Sequence, residues 1–349
     1  MIALQGITSE ALARVLPSLS PEEARRVVSA VHRQIPLDRP LKGVRKASLA
    51  LVRETCAVPA LNVHRQLSSL LDPFVKLSLV APDGGAFETV RIPLERPGRF
   101  SVCVSSQVGC ALGCAFCATG RMGLVRNLET WEIVEQVRIV KRTLQPEFGE
   151  RIRGVVFQGM GEPLANLDRV LEAIRVLTEP SALAIDARAM TVCTSGLPSG
   201  VARIAREAPR VRLALSIGSA RASVRRHLMP IEGSHPLSAV MDACVDHAHL
   251  TGLSPMWAIT PLAGVNDTDE DVASLVALAR DFVSRTGRRP RISLIPYNRI
   301  DLGADPFARS SAEAEARLRE ALRDAGFGVH KRYSGGGDIQ AGCGQLVSG

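Results

Sequence analysis

Up to residue 70 the apolar side chains recur at helical spacing among polar ones. Ser20-Pro21-Glu22-Glu23 joins an N-cap serine, a proline at the first helical position and a glutamate placed for a capping box, and Val27, Val28 and Val31 follow. This pattern predicts short helices in a small helical domain. Two strand-like runs come next, 74–81 and 87–94, separated by Pro82-Asp83-Gly84-Gly85-Ala86, a hairpin signal. Glu95-Arg96-Pro97-Gly98 marks a boundary. From Arg99 onward, strand-like runs at 100–105, 155–158, 190–194, 211–217, 255–260 and 292–297 alternate with helix-like segments. Thr130 stands before the helical stretch 131–144, Asn166 before 167–177, and Thr268-Asp269-Glu270-Asp271 before 272–283. Six such βα units predict an α/β fold, a parallel sheet curled into a partial barrel, with its chemistry where strands end and loops begin. The tail breaks the pattern: five of the ten residues 335–344 are glycine. It is either a frayed terminus or a mobile loop presenting Cys343.

Composition narrows the class. The 349 residues are 46% hydrophobic and 22% charged, which excludes a dominantly disordered or collagen-like chain. No apolar run approaches the ~20 residues that span a bilayer, and the opening Met1-Ile2-Ala3-Leu4-Gln5-Gly6 lacks the features of a secretory signal, so a cytoplasmic protein with no membrane partner is expected. The net charge of +8 suits a polyanionic partner, and only five of the 43 basic residues are lysine. Arginine favours bidentate phosphate contacts, although an arginine-biased composition with ordinary solvated faces gives the same count. At 4% aromatic content, extensive base stacking is not expected.

Eight cysteines in a cytosolic chain point to metal or redox chemistry before structural disulfides. In Cys110-Ala111-Leu112-Gly113-Cys114-Ala115-Phe116-Cys117 the gaps are three and two residues, and Gly109 and Gly113 allow tight curvature after the first barrel strand. Three thiolates on a 4Fe-4S cubane leave one iron for a non-protein ligand, and the amino and carboxylate groups of S-adenosylmethionine can chelate it. A structural zinc site is the alternative, with Cys103 as a nominal fourth ligand. Cys56, Cys193 and Cys244 fit buried small apolar positions. The seven histidines show no convincing metal spacing, and His247 and His249 fall on different helix faces, which suits solvated or capping roles.

The stretch Cys103 to Gly120 resembles the RlmN/Cfr family of radical-SAM RNA methyltransferases, as do Gly159-Met160-Gly161-Glu162-Pro163-Leu164-Ala165-Asn166, Thr194-Ser195-Gly196, Leu294-Ile295-Pro296-Tyr297-Asn298 and Cys343-Gly344-Gln345-Leu346. The matches run in order over residues 86–346. The resemblance implies a partial (β/α)6 radical-SAM barrel over 95–333, an N-terminal RNA-docking domain with the hairpin over 1–94, and a catalytic loop over 334–349. It also implies a 4Fe-4S cluster on Cys110, Cys114 and Cys117, and S-adenosylmethionine held by Gly161, Glu162, Ser195, Ser216, Ile217, Gly218 and Asn298. The substrate implied is an adenine carbon, C2 or C8, in ribosomal or transfer RNA.

That carbon is not nucleophilic, so polar methyl transfer fails there. The family's route, as the resemblance implies it, first methylates a cysteine matching Cys343. A 5′-deoxyadenosyl radical then abstracts hydrogen from the thiomethyl group, and the methylene radical adds to the base. Glu88, in Glu88-Thr89-Val90-Arg91-Ile92-Pro93, matches the proton acceptor. Cys103 matches the thiol that releases the product through a transient Cys103–Cys343 disulfide, which a cellular electron donor resets. Without the resemblance, Glu88 is an unremarkable surface glutamate on an edge strand. One departure stands out: Ser216-Ile217-Gly218 replaces a common Ser-Leu-His, removing an imidazole near the adenosine end of the cofactor. Nothing resembles a dimerisation helix, so a monomer is expected. Two other functions fit fewer of these features: a radical-SAM enzyme with a non-RNA acceptor, and a non-catalytic RNA-binding or zinc-stabilised protein.

Overall fold

The computed structural model describes residues 1–301 and 303–347. Its frame is one ten-stranded sheet in which spatial order follows chain order. The strands are β1 (Asn62–Ser68), β2 (Val75–Val80), β3 (Ala86–Pro93), β4 (Arg99–Val104), β5 (Arg151–Phe157), β6 (Met190–Thr194), β7 (Arg212–Ser216), β8 (Met256–Ile259), β9 (Arg291–Leu294) and β10 (Val329–Lys331). From β4 to β10 every neighbouring pair is parallel, and from β1 to β4 every pair is antiparallel. The six expected barrel strands are present, and β10 adds a short seventh. Helices Thr130–Arg142, Leu167–Thr178, Pro198–Glu207, Leu237–Thr251, Asp269–Thr286 and Ala312–Asp324 intervene. Apolar side chains of strands and helices merge into one core, where Trp257 meets Phe282 edge-on at 5.6 Å.

Several local expectations change. The stretch expected to be wholly helical contains β1, an edge strand whose side chains are mostly exposed. The hairpin is continuous with the barrel sheet: β3 pairs with β4 across the expected boundary, and the Leu94 N–H donates to the Arg99 carbonyl at 2.8 Å. The helix expected after Thr130 begins with that residue, and Glu129 is the cap, its N–H donating to the Glu132 carboxylate at 2.7 Å. Asn166 does not cap with its side chain. Its amide instead donates to the Ser106 and Leu128 carbonyls, both at 2.8 Å, tying together three loops. The boxes at Ser20–Glu23 and Thr268–Asp271 form as the spacing requires.

The N-terminal helices Ser9–Val15, Pro21–His32 and Lys46–Thr55 enclose a small core of their own around Leu12, Val27, Val28 and Val52. They rest on the barrel helix Thr130–Arg142, whose Arg138 donates to the Val31 carbonyl at 2.7 Å. Gly6 makes the approach close, since a Cβ there would lie 2.8 Å from the Trp131 backbone nitrogen. Histidines expected to be solvated are not all so: His32 and His247 are buried, while His249 contacts the Arg285 carbonyl at 3.0 Å. Among the described residues no helix is long and apolar enough to cross a membrane. The expected catalytic loop reaches residues 348 and 349, which lie outside the described residues.

Candidate active site

The carboxyl ends of the parallel strands surround a cavity of about 400 Å³, lined by Cys103, Cys114, Cys117, Ser195, Ser216, Gly218 and Cys343 among others. That size suits a small-molecule site. The cysteine loop follows β4 through a short ladder, Gln107–Gly109 against Leu124–Asn127. Gly109 turns the chain with φ +75°, and a Cβ there would sit 1.9 Å from the Gly123 carbonyl oxygen. That same oxygen accepts the Cys110 N–H at 2.8 Å. The loop is pinned further by Ala115 N–H on the Leu228 carbonyl at 2.9 Å and by Arg121 on the Ala115 carbonyl.

Burial pushes all three loop thiols up, Cys110 to about 11, and nearby thiols of the trio add to the effect at Cys110 and Cys114. Thiols so placed become thiolates when a cation compensates them, as bound iron does. Cys103 belongs to a different group. Its thiol is raised by burial first and then by Cys343 and Cys193, with Arg332 acting in the opposite direction. Among the described residues no three His, Cys, Asp or Glu groups converge on one metal-ion position. Three loop thiols, with Cys103 set apart beside Cys343 and Cys193, are the donor set of a cubane that leaves one iron open.

Gly161 and Glu162 stand at the end of β5. Gly161 has φ +97° and packs so closely on Gln107 that a Cβ would meet that side chain at 2.5 Å. The buried Glu162 carboxylate accepts from Leu164 N–H at 3.0 Å and Ser195 N–H at 2.9 Å, joining the ends of β5 and β6. Burial raises its pKa. Ile217 places its side chain in the core and does not line the cavity, unlike Ser216 and Gly218 on either side. Gly218 adopts φ +70°, and the Met229 sulfur lies 2.5 Å from where its Cβ would be. Met229 thus fills the space beside the missing imidazole.

The tail is docked over the mouth. Ala118 N–H donates to the Gly344 carbonyl at 2.8 Å and the Thr119 hydroxyl to the Leu346 carbonyl at 2.7 Å, so the cysteine loop and the tail share hydrogen bonds. Asn298 donates to the Cys343 carbonyl at 3.1 Å and accepts from the Ser334 hydroxyl at 2.8 Å. It holds the tail and does not line the cavity. Asp338 and Asp72 complete a clasp with the β1–β2 turn: Asp338 accepts from Ser69 and Leu70, and Asp72 from Tyr333 and Gly336. Cys343 is exposed as a residue yet forms part of the cavity wall with Cys103; burial raises its thiol pKa, and Arg332 offsets part of that.

Glu88 lies neither on an edge strand nor at the surface. It sits on β3 with 3% exposure, beneath the tail, and does not line the cavity. Sequence reasoning missed Arg225, a fully buried guanidinium paired with Glu232 that donates to the Ser195 and Ile217 carbonyls. It also missed Lys76 and the cavity-lining Arg332. Nothing in the local pattern separates these from solvated cations.

A three-thiol loop after the first strand of an open parallel barrel defines a class, and comparison with known proteins identifies it. The radical SAM superfamily model matches residues 104–279. A probable RNA methyltransferase of Sorangium cellulosum is 56% identical over 345 residues, spanning 93% of this chain and 87% of its own. A dual-specificity RNA methyltransferase RlmN of Syntrophobacter fumaroxidans is 43% identical over 270 residues, 76% of this chain and 74% of its own. The crystal structure of a radical SAM methyltransferase from Sphaerobacter thermophilus superposes with TM-score 0.89 at 34% identity, covering 100% of both chains. The chain belongs to the RlmN-like RNA methyltransferases of the radical SAM superfamily. It is a methyltransferase, and its family implies a 4Fe-4S cluster and S-adenosylmethionine.

Proposed function

We propose that this methyltransferase modifies an adenine carbon, C2 or C8, of ribosomal or transfer RNA in the cytoplasm, acting as a monomer with a cellular electron donor. The observation that carries the reading is the shared wall: Cys103 and Cys343 face one cavity with two of the three loop cysteines. Cys110, Cys114 and Cys117 would hold the cluster. Glu162 has both oxygens engaged by backbone N–H groups and retains further lone pairs for a ligand's ammonium. Ser195, Ser216, Gly161 and the Ile217–Gly218 backbone frame the rest of the cofactor site, with Asn298 holding the tail beside it. When bound, cluster and cofactor supply a methyl group and a one-electron route to hydrogen abstraction, which a non-nucleophilic carbon demands.

The chain's own residues do the remainder. Cys343 carries the methyl group as a thioether and becomes the covalent link to RNA. Glu88 accepts the proton from the substituted carbon. The Cys103 thiolate then attacks the Cys343 sulfur, forming the S–S bond as the sulfur–carbon bond breaks; the carbon keeps that electron pair and takes up a proton to complete the methyl group, and a two-electron reductant restores both thiols. Residues 1–94 are proposed to dock RNA, and the two arms of the clasp bring that region to the tail.

Cys103→Ala removes only the resolving thiol. Purified anaerobically from cells, it is expected to carry RNA bound to Cys343, with mass spectrometry of the digest naming the nucleotide and carbon. A cluster-replete Cys103→Ala protein free of nucleic acid would overturn the reading.

A further inference from the structure

We propose that Lys76 is a positioning residue for the methyl-transfer cycle: it tethers the tail that bears Cys343 and, through the same ammonium, holds the Glu88 carboxylate. The inference rests on the role proposed for Glu88. Of the five lysines Lys76 alone is buried, at 5% exposure. Its ammonium lies 3.0 Å from Glu88 Oε1 and donates to the Gln340 carbonyl at 3.2 Å. Ser78, two residues along the same face of β2, also donates to Oε1, at 3.2 Å. The other oxygen, Oε2, accepts the Val347 N–H at 3.0 Å. With the tail docked, both carboxylate oxygens are engaged and the carboxylate is shut away from the cavity.

Glu88 lies off the cavity wall and under the tail, so substrate can reach its carboxylate only after the segment around Val347, whose N–H holds Oε2, moves aside. Lys76 and Ser78 stay on β2 and keep Oε1, so the carboxylate stays fixed while its second oxygen opens. Lys76 meanwhile loses or keeps the Gln340 carbonyl according to where the tail is. One cation thus links tail position to the availability of the base. A compact ammonium with three donors suits two divergent acceptors, in a chain whose other cations are mostly arginine.

The test compares Lys76→Met and Lys76→Arg in the cluster-loaded enzyme. Tail tethering is read from the alkylation rate of Cys343 by iodoacetamide, located by peptide mass spectrometry. Loss of a hydrogen bond from a charged donor predicts a rise of about tenfold for Lys76→Met, reversed largely by Lys76→Arg. The second readout is covalent RNA: with Cys103 intact, Lys76→Met is expected to accumulate the Cys343 adduct because proton removal is slowed. Iron and sulfide content should stay at the wild-type level, which separates positioning from simple misfolding. An unchanged alkylation rate, or absence of adduct from Lys76→Met while Cys103→Ala yields it, overturns the inference and leaves the proposed function intact. Absence of adduct from Cys103→Ala as well, with faster alkylation in Lys76→Met, overturns the proposed function and supports the tether alone.

Discussion

Acid should loosen the N-terminal helices from the barrel, and His32 sets the size of the effect. Its ring is 3% exposed, and neither ring nitrogen has a hydrogen-bond partner among the described residues. Burial, and then the charges of Arg138 and Lys141 on the helix beneath, push its pKa down from 6.5 to about 3. The unfolded chain therefore binds this proton first. Stability is intact above pH 6.5 and declines as pH falls from 6.5 toward 3. At about 1.4 kcal/mol per pH unit, the cost reaches about 2 kcal/mol by pH 5. For a chain of this length that is a drop of about 3 °C in Tm. Calorimetry of wild type and His32→Leu at pH 7 and pH 5 isolates the contribution, because His247, pushed down by burial to about 4, titrates in both proteins. The wild type should lose about 3 °C more than the variant between the two pH values. Equal losses would refute the assignment of a buried neutral imidazole.

Two further substitutions test the cluster loop and cofactor rim. Gly109→Ala combines a left-handed backbone strain of about 1–2 kcal/mol with a steric overlap against the Gly123 carbonyl. Iron and sulfide after anaerobic reconstitution should fall to a small fraction of wild type while far-ultraviolet circular dichroism is retained; full loading would refute it. Glu162→Gln turns an amide donor toward one of two backbone N–H groups, costing about 1–3 kcal/mol, and should weaken S-adenosylmethionine binding about tenfold by equilibrium dialysis. Unaltered affinity would remove Glu162 from the cofactor site.

Six of the barrel's strands were legible because each is an apolar run bounded by helix signals, and the cysteine loop because its spacing is a local property; β10, Val329-His330-Lys331, carries no such run. The outer cysteines needed family resemblance, since Cys103 and Cys343 become neighbours only through the fold. Lys76, Arg225 and Arg332 were invisible for a related reason. A buried cation announces itself by what lies above it, and Lys76 is covered by Gln340, 264 positions away. The strand Asn62–Ser68 escaped notice because an exposed edge strand carries little apolar alternation. Continuity of the sheet across Pro97-Gly98 was hidden by turn residues, which mark a hairpin and a domain boundary equally well.

A sheet whose strands lie side by side in chain order also imposes a timetable on biogenesis. Each strand can join its predecessor as it leaves the ribosome, so the sheet grows from one side and the tail is the last segment to emerge. The tail must then return across 264 positions to Lys76 and 259 to Glu88. The segment bearing Cys343 is thus the last to arrive, and it closes over a cysteine loop that the rest of the chain has already shaped.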